Sequence, residues 1–168
     1  MEKRENNHAF IDSENLYKGI NDLGWKLDYQ KFRVYLSHKY RVSKAFLFIG
    51  YLPTNTTLYR MLQDSGFTLI FKPTLTGKDG KTKGNVDAEL VLHTMIEYPN
   101  YDQAVIVTSD GDFGCLVEYL YGMDKLRTVV SPHYKTCSIL LKKAAREKIV
   151  FMDMLRMKLA HPNRKGTA

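Results

Sequence analysis

Apolar and polar positions change period repeatedly along this chain. His8-Ala9-Phe10-Ile11 predicts a short first strand. Ala45-Phe46-Leu47-Phe48-Ile49 is a continuous apolar run, which predicts a strand covered on both faces. Phe67-Thr68-Leu69-Ile70-Phe71, Ala104-Val105-Ile106-Val107, residues 126–130 and a short Ile149-Val150-Phe151 complete the strands. Between them the period is helical. Asp28 can cap a helix running to Tyr40, and Thr54 to Asp64 reads as a helix stopped by Ser65-Gly66. Further helices are predicted over 85–98, 113–121 and 136–147. Residues 73–84 hold Gly77, Gly80 and Gly84 among lysines and read as a flexible loop. Alternation of apolar strands with helices predicts an α/β fold, a three-layer α/β/α sandwich around a mostly parallel sheet. One domain is expected over 8–158, with 1–7 a short extension and 159–168 a disordered basic tail.

Composition narrows the class. Hydrophobic residues make up 44% and charged residues 26% of 168, which excludes a low-complexity chain. Two cysteines, Cys115 and Cys137, give no disulfide framework and point to a reducing, cytoplasmic setting. The opening MEKRENNHAF has no apolar signal core, and no run approaches the ~20 apolar residues of a membrane span. The net charge is +7, which points weakly to a polyanionic partner. That surplus is uneven: residues 31–44 carry +5, 72–83 carry +3 and 142–165 carry +6, leaving −7 for the remainder. A basic run is often only a solvated face, but the segment 72–83 has the composition of an exposed loop.

The acids carry the chemistry. In parallel α/β sheets, ligands bind beyond the carboxyl ends of the strands. Asp12 follows the first strand directly, and Asp110 and Asp112 follow the fourth. Asp87 lies in the first turn of the helix predicted from Asn85; its i+4 and i+8 neighbours are Val91 and Met95, so it sits at the edge of the buried face. Singly, each acid has a structural reading: Asp110 as the cap of a Ser-Asp-Gly-Asp turn, Asp112 and Asp87 as complements to a helix dipole, and Asp12 as a cap. Jointly, they put several carboxylates in one partly dry cleft, where they need a cation to stay ionised. Hard oxygen ligands suit Mg²⁺ or Mn²⁺. There is no serine–histidine–acid spacing, Cys-x-x-Cys pair or Walker-type glycine loop, so metal-assisted hydrolysis leads.

Three segments then resemble a known family in order and spacing. Phe10-Ile11-Asp12-Ser13-Glu14-Asn15-Leu16 resembles the opening motif of the NYN-domain proteins, in particular the LabA-like branch of the PIN-like nuclease superfamily. Lys83-Gly84-Asn85-Val86-Asp87-Ala88-Glu89-Leu90 resembles the family's central helix motif, and Val107-Thr108-Ser109-Asp110-Gly111-Asp112-Phe113 its third. The resemblance implies a PIN-like sandwich and a divalent-metal ribonuclease site with Asp12, Asp87, Asp110 and Asp112 as metal-binding acids. It implies that Asn15 orients a carboxylate or phosphate, that Ser109 is the small hydroxyl residue before the third acid, and that Lys83 contacts substrate phosphate. Where family members often carry a further Asp, six residues beyond Asp87, this chain has His93. That His is read as a packed residue ahead of a metal partner.

On the substrate side, Lys72, Lys78, Lys81 and Lys83 are expected to flank the cleft and grip phosphate without sequence choice. Tyr51, Tyr59, Tyr134 and Phe113 are candidate stacking surfaces, with the Pro132-His133-Tyr134-Lys135 turn the better placed. Single-stranded RNA is the substrate the family favours; no membrane partner is expected, and a homodimer is open. Two other readings stand beside the nuclease: a catalytically weak or inactive RNA-binding module, and another metal phosphotransfer enzyme. Glu14, where a dehalogenase-type phosphatase needs a second Asp, argues against the last.

Overall fold

The computed structural model describes residues 4–78, 82–83 and 85–162. Strands β1 (Asn7–Asp12), β2 (Val42–Tyr51), β3 (Thr68–Pro73), β6 (Ala104–Val107), β7 (Leu126–Ser131) and β8 (Ile149–Phe151) form one sheet in the order β3-β2-β1-β6-β7-β8. Every pairing in it is parallel. Six strands of one direction, with helices on both faces, give the expected α/β sandwich.

The pleat explains how each strand serves two cores. Ala9 and Ile11 of β1, with Leu47, Val105 and Val107, point to one face. There they meet Leu16 of α1 (Ser13–Asp22), Phe32 and Leu36 of α2 (Tyr29–Tyr40), Leu62 of α3 (Thr56–Asp64) and Leu159 of α7 (Arg156–Leu159). Phe10, Phe48 and Ile106 point the other way. They meet Leu90 of α4 (Asp87–Ile96), Val117 and Leu120 of α5 (Gly114–Gly122), and Leu141 of α6 (Ile139–Ala145). Successive side chains of a strand alternate faces, so a fully covered strand must be apolar throughout.

The structure adds an element that the pattern hides. Residues 13–22 form α1, although Asn, Asp and a mid-helix Gly give them a loop-like composition. Asp12 caps this helix by accepting from the Asn15 amide at 3.2 Å, and Leu16 and Ile20, four apart, anchor it. Gly19 is required by proximity: a Cβ there would lie 2.5 Å from Pro132 Cβ. The expected loop 73–84 contains a short antiparallel pair, β4 (Leu75–Thr76) with β5 (Thr82–Lys83). Thr76 and Thr82 are β-branched residues that favour strands. Helix α6 is shorter than predicted, capped at Ser138 and ended by Arg146 at φ 54°. At the other end, the expected boundary at 158 falls inside α7; Leu159 is buried and Ala160 bridges to Leu27. Asn7, expected in the N-terminal extension, is buried at the start of β1 and donates to the Tyr40 carbonyl at 2.7 Å.

Candidate metal centre

The sheet order places the site. The chain runs β1-β2-β3 outward on one side, then returns to β6 beside β1 and runs outward on the other. Strand order therefore reverses between β1 and β6, and a crevice opens beyond their carboxyl ends. Asp12 ends β1, Asp110 and Asp112 follow β6, and Asp87 begins α4 on the return path.

Carboxylate oxygens of Asp87, Asp110 and Asp112 lie within 4.8 Å of one another. Asp12 stands outside this group of three, yet its carboxyl feels the charges of Asp87 and Asp110. It is 5% exposed, and burial is the main reason that its pKa rises to about 6. The Asn15 amide and the Thr108 hydroxyl (3.3 Å) donate to it and pull the other way. Asp87 is also raised, first by burial and then by Asp110 and Asp112, against the opposing Asn85 hydrogen bond and the Lys72 charge. Acids held above their ordinary range by burial and by each other fit a divalent cation, which relieves both effects. The donor set, all carboxylate oxygen, suits a hard divalent cation rather than a soft metal.

Local hydrogen bonds fix each acid. Asp110 Oδ1 accepts from the Asp112 amide at 2.9 Å, and the Asp110 amide donates to Thr108 Oγ1 at 3.1 Å. Thr108 thus bridges Asp12 and Asp110 from a fully buried position. Asn85 clamps Asp87 twice, donating to its carboxylate at 3.0 Å and accepting from its amide at 2.8 Å. Asn15 Oδ1 accepts from the Ser109 amide at 2.7 Å, tying α1 to the end of β6. The Ser109 hydroxyl pairs with Ser131 at 2.8 Å, so it braces β6 against β7. Thr108, Asn85 and Ser131 escaped the sequence reading as site residues, although Thr108 and Asn85 stand inside the quoted motifs.

The remaining candidates divide. His93 meets the edges of Phe46 and Phe48 at 4.8 and 5.7 Å, a packed histidine outside the group of three acids. Lys72 donates to the Asn85 carbonyl and pairs with Glu89 at 3.3 Å, bracing the start of α4. Lys78 is exposed, Lys81 lies outside the described residues, and Lys83 pairs through its backbone with Leu75. Phe113 is fully buried in the core beneath α5 and cannot stack on a base, which corrects that expectation. Tyr59 is buried too; its hydroxyl accepts from the Leu52 amide and donates to the Gly50 carbonyl. Tyr51 leans on both Tyr59 and Phe71. Tyr134 remains 55% exposed, with the Lys142 ammonium 4.0 Å over its ring.

A family model, that of the NYN domain, matches residues 8–153. The chain belongs to the NYN-domain family. That family is one of PIN-like nucleases, so this NYN domain is of a nuclease type and its implied substrate is nucleic acid. The crystal structure of a protein of unknown function from Vibrio parahaemolyticus RIMD 2210633 is similar, with a TM-score of 0.75 and 23% identity. The similarity covers 90% of this chain and 95% of that one and concerns the fold alone. No curated protein matches the chain. Among the described residues, no helix is long and apolar enough to cross a membrane.

Proposed function

We propose that this NYN domain, of the LabA-like branch, is a divalent-metal-dependent ribonuclease that hydrolyses phosphodiester bonds of single-stranded RNA. The observation that carries the reading is the set of three carboxylates within 4.8 Å of one another, beside the buried Asp12, at the sheet's switch point. Asp12, Asp87, Asp110 and Asp112 would hold Mg²⁺ or Mn²⁺, which when bound activates water and offsets charge on the phosphate. The protein's own part is alignment. Thr108 holds Asp12 and Asp110 in one relative position, Asn85 holds Asp87, and the Asn15–Ser109 bond ties the start of α1 to the turn after β6. Asn15 and Ser109 act as positioning residues, since their recorded bonds run to the scaffold.

Lys72, Lys78, Lys81 and Lys83 supply phosphate affinity in this reading. Lys72 does so partly through its place beside Asp87. Both cysteines are free thiols, in keeping with a reducing cytoplasm.

Labelled single-stranded RNA incubated with Mn²⁺ or Mg²⁺ is expected to be cut, with EDTA abolishing cleavage. Asp12→Asn and Asp110→Asn are each expected to remove activity while the circular dichroism spectrum persists. Metal-independent cleavage, or full activity in both variants, would overturn the assignment. Steep salt-dependent RNA binding with no cleavage at any metal concentration would favour an RNA-binding module instead.

A further inference from the structure

A cavity of about 560 Å³ opens beside the acids, on the β2 side of β1. Two of its lining residues, Ser13 and Val86, are the chain neighbours of Asp12 and Asp87. It thus adjoins the candidate metal centre through the residues next to Asp12 and Asp87, although none of the four acids lines it. Its walls are apolar where Phe48, Leu58 and Leu62 line it. Tyr17 and Tyr29 add aromatic surface; Tyr17 is 63% exposed. Polar groups are few and sit among these walls: Ser13, Asn55, Thr74 and Glu14, whose carboxylate is paired with the Lys18 ammonium at 2.6 Å. The Thr74 hydroxyl is already committed to the Tyr51 carbonyl at 2.6 Å. The Asn55 side-chain amide makes no hydrogen bond among the described residues, so it offers both a donor and an acceptor.

An apolar, aromatic-walled cavity with one uncommitted amide has the makeup of a site for a flat heterocycle, and its volume lies within the ~300–1,000 Å³ of small-ligand sites. A phosphate at the acids would place the adjoining nucleotide of the same strand across the cavity mouth. We propose that this cavity receives an unpaired base of the strand, next to the phosphate held at the acids. The inference rests on the nucleic-acid reading of the same site and sharpens it. A base can enter only if it is free of a partner strand, so the cavity selects single strands. Stacking and apolar contact accept any base, while the Asn55 amide can meet the edge of purine or pyrimidine; discrimination among bases is therefore shallow.

The test reads binding, so it stands whether or not the protein cuts RNA. An eight-nucleotide single-stranded RNA carrying one abasic residue, scanned through every position, is titrated by fluorescence anisotropy in Mg²⁺. The Asp110→Asn variant is used if the wild type cleaves the probe. One position is expected to weaken binding by roughly fivefold or more, since stacking of one base contributes about 1–3 kcal/mol. Leu58→Trp, which narrows the cavity, is expected to weaken binding of the intact RNA and to abolish the positional effect. Equal affinity for all abasic positions overturns the proposal. So does an unchanged positional effect in a folded Leu58→Trp protein. If Leu58→Trp fails to fold, the abasic scan on the wild type decides alone. Failure of the nuclease reading shows instead as absent cleavage with the scan still positive.

Discussion

Thr108 shows how much of the site hangs on a residue with no chemistry of its own. Its single hydroxyl donates to Asp12 and accepts from the Asp110 amide, from a side chain that is itself fully buried. Thr108→Val keeps the shape and removes both bonds, leaving Asp12 held, among the described residues, by the Asn15 amide alone. A loss of about 1–3 kcal/mol in urea unfolding is expected, with weakened metal binding beside it. His8 offers a pH test away from the acids. It is 1% exposed, and burial with the Lys44 charge lowers its pKa below the ordinary 6.5, against the opposing pull of Glu97. Below about pH 6.5 the unfolded chain therefore binds a proton that the folded chain refuses. Stability carried by neutral His8 is fully present above 6.5 and is lost progressively as pH falls from that value through the lower folded-state pKa. The raised pKa of Asp12 acts with the opposite sign, favouring the folded state as pH drops toward 6 and below. The two separate in a difference measurement: wild type minus His8→Phe is expected to lose stability from pH 7 to pH 5. A flat difference across that range would remove His8 as the cause.

The strands were legible because full burial forces continuous apolar runs, and six of them appear where the pattern predicted. The elements that were missed or mis-sized are those held by tertiary contact. Helix α1 has only Leu16 and Ile20 as deep anchors, and Gly19 reads as a breaker until Pro132 is seen against it. The four acids were legible because they directly follow strands or open a helix. Their supports were not, since a Thr, an Asn and a Ser are common in turns and gain meaning only from partners distant in sequence. The turn after β6 illustrates such a contact. A Cβ at Gly111 would lie 2.3 Å from Ser138 Oγ, and Ser138 caps α6 by accepting from the Leu140 amide. Gly111→Ala is therefore expected to destabilise by about 1–3 kcal/mol through overpacking. Ser138→Gly alone removes the cap at a cost of only a few tenths of a kcal/mol. Combined, the two should be more stable than their separate effects predict, because the glycine removes the clashing atoms. Strict additivity in thermal unfolding would show that the turn avoids the clash another way.

At the scale of the molecule, the net +7 conceals three basic segments and an acidic remainder that includes the four clustered aspartates. The four acids come from three places in the chain, the end of β1, the start of α4 and the turn after β6, so a cation bound to them ties both halves of the sheet together. Without a cation the same acids repel: the Asp87 carboxyl is raised first by burial and then by the charges of Asp110 and Asp112. Two consequences follow with opposite signs. Mn²⁺ should stabilise the wild type, and so raise its unfolding temperature, with the logarithm of its concentration above the dissociation constant, by about 2.7 kcal/mol at a hundred times that constant. Asp87→Asn removes one repelling charge and keeps the side-chain shape beside Asn85. In EDTA this variant should therefore unfold at or above the wild-type temperature, while its response to Mn²⁺ shrinks. Scanning calorimetry of both proteins, with and without Mn²⁺, separates the cases. A variant that is less stable in EDTA yet responds fully to Mn²⁺ would mean that Asp87 supports the helix start and takes no part in holding the cation.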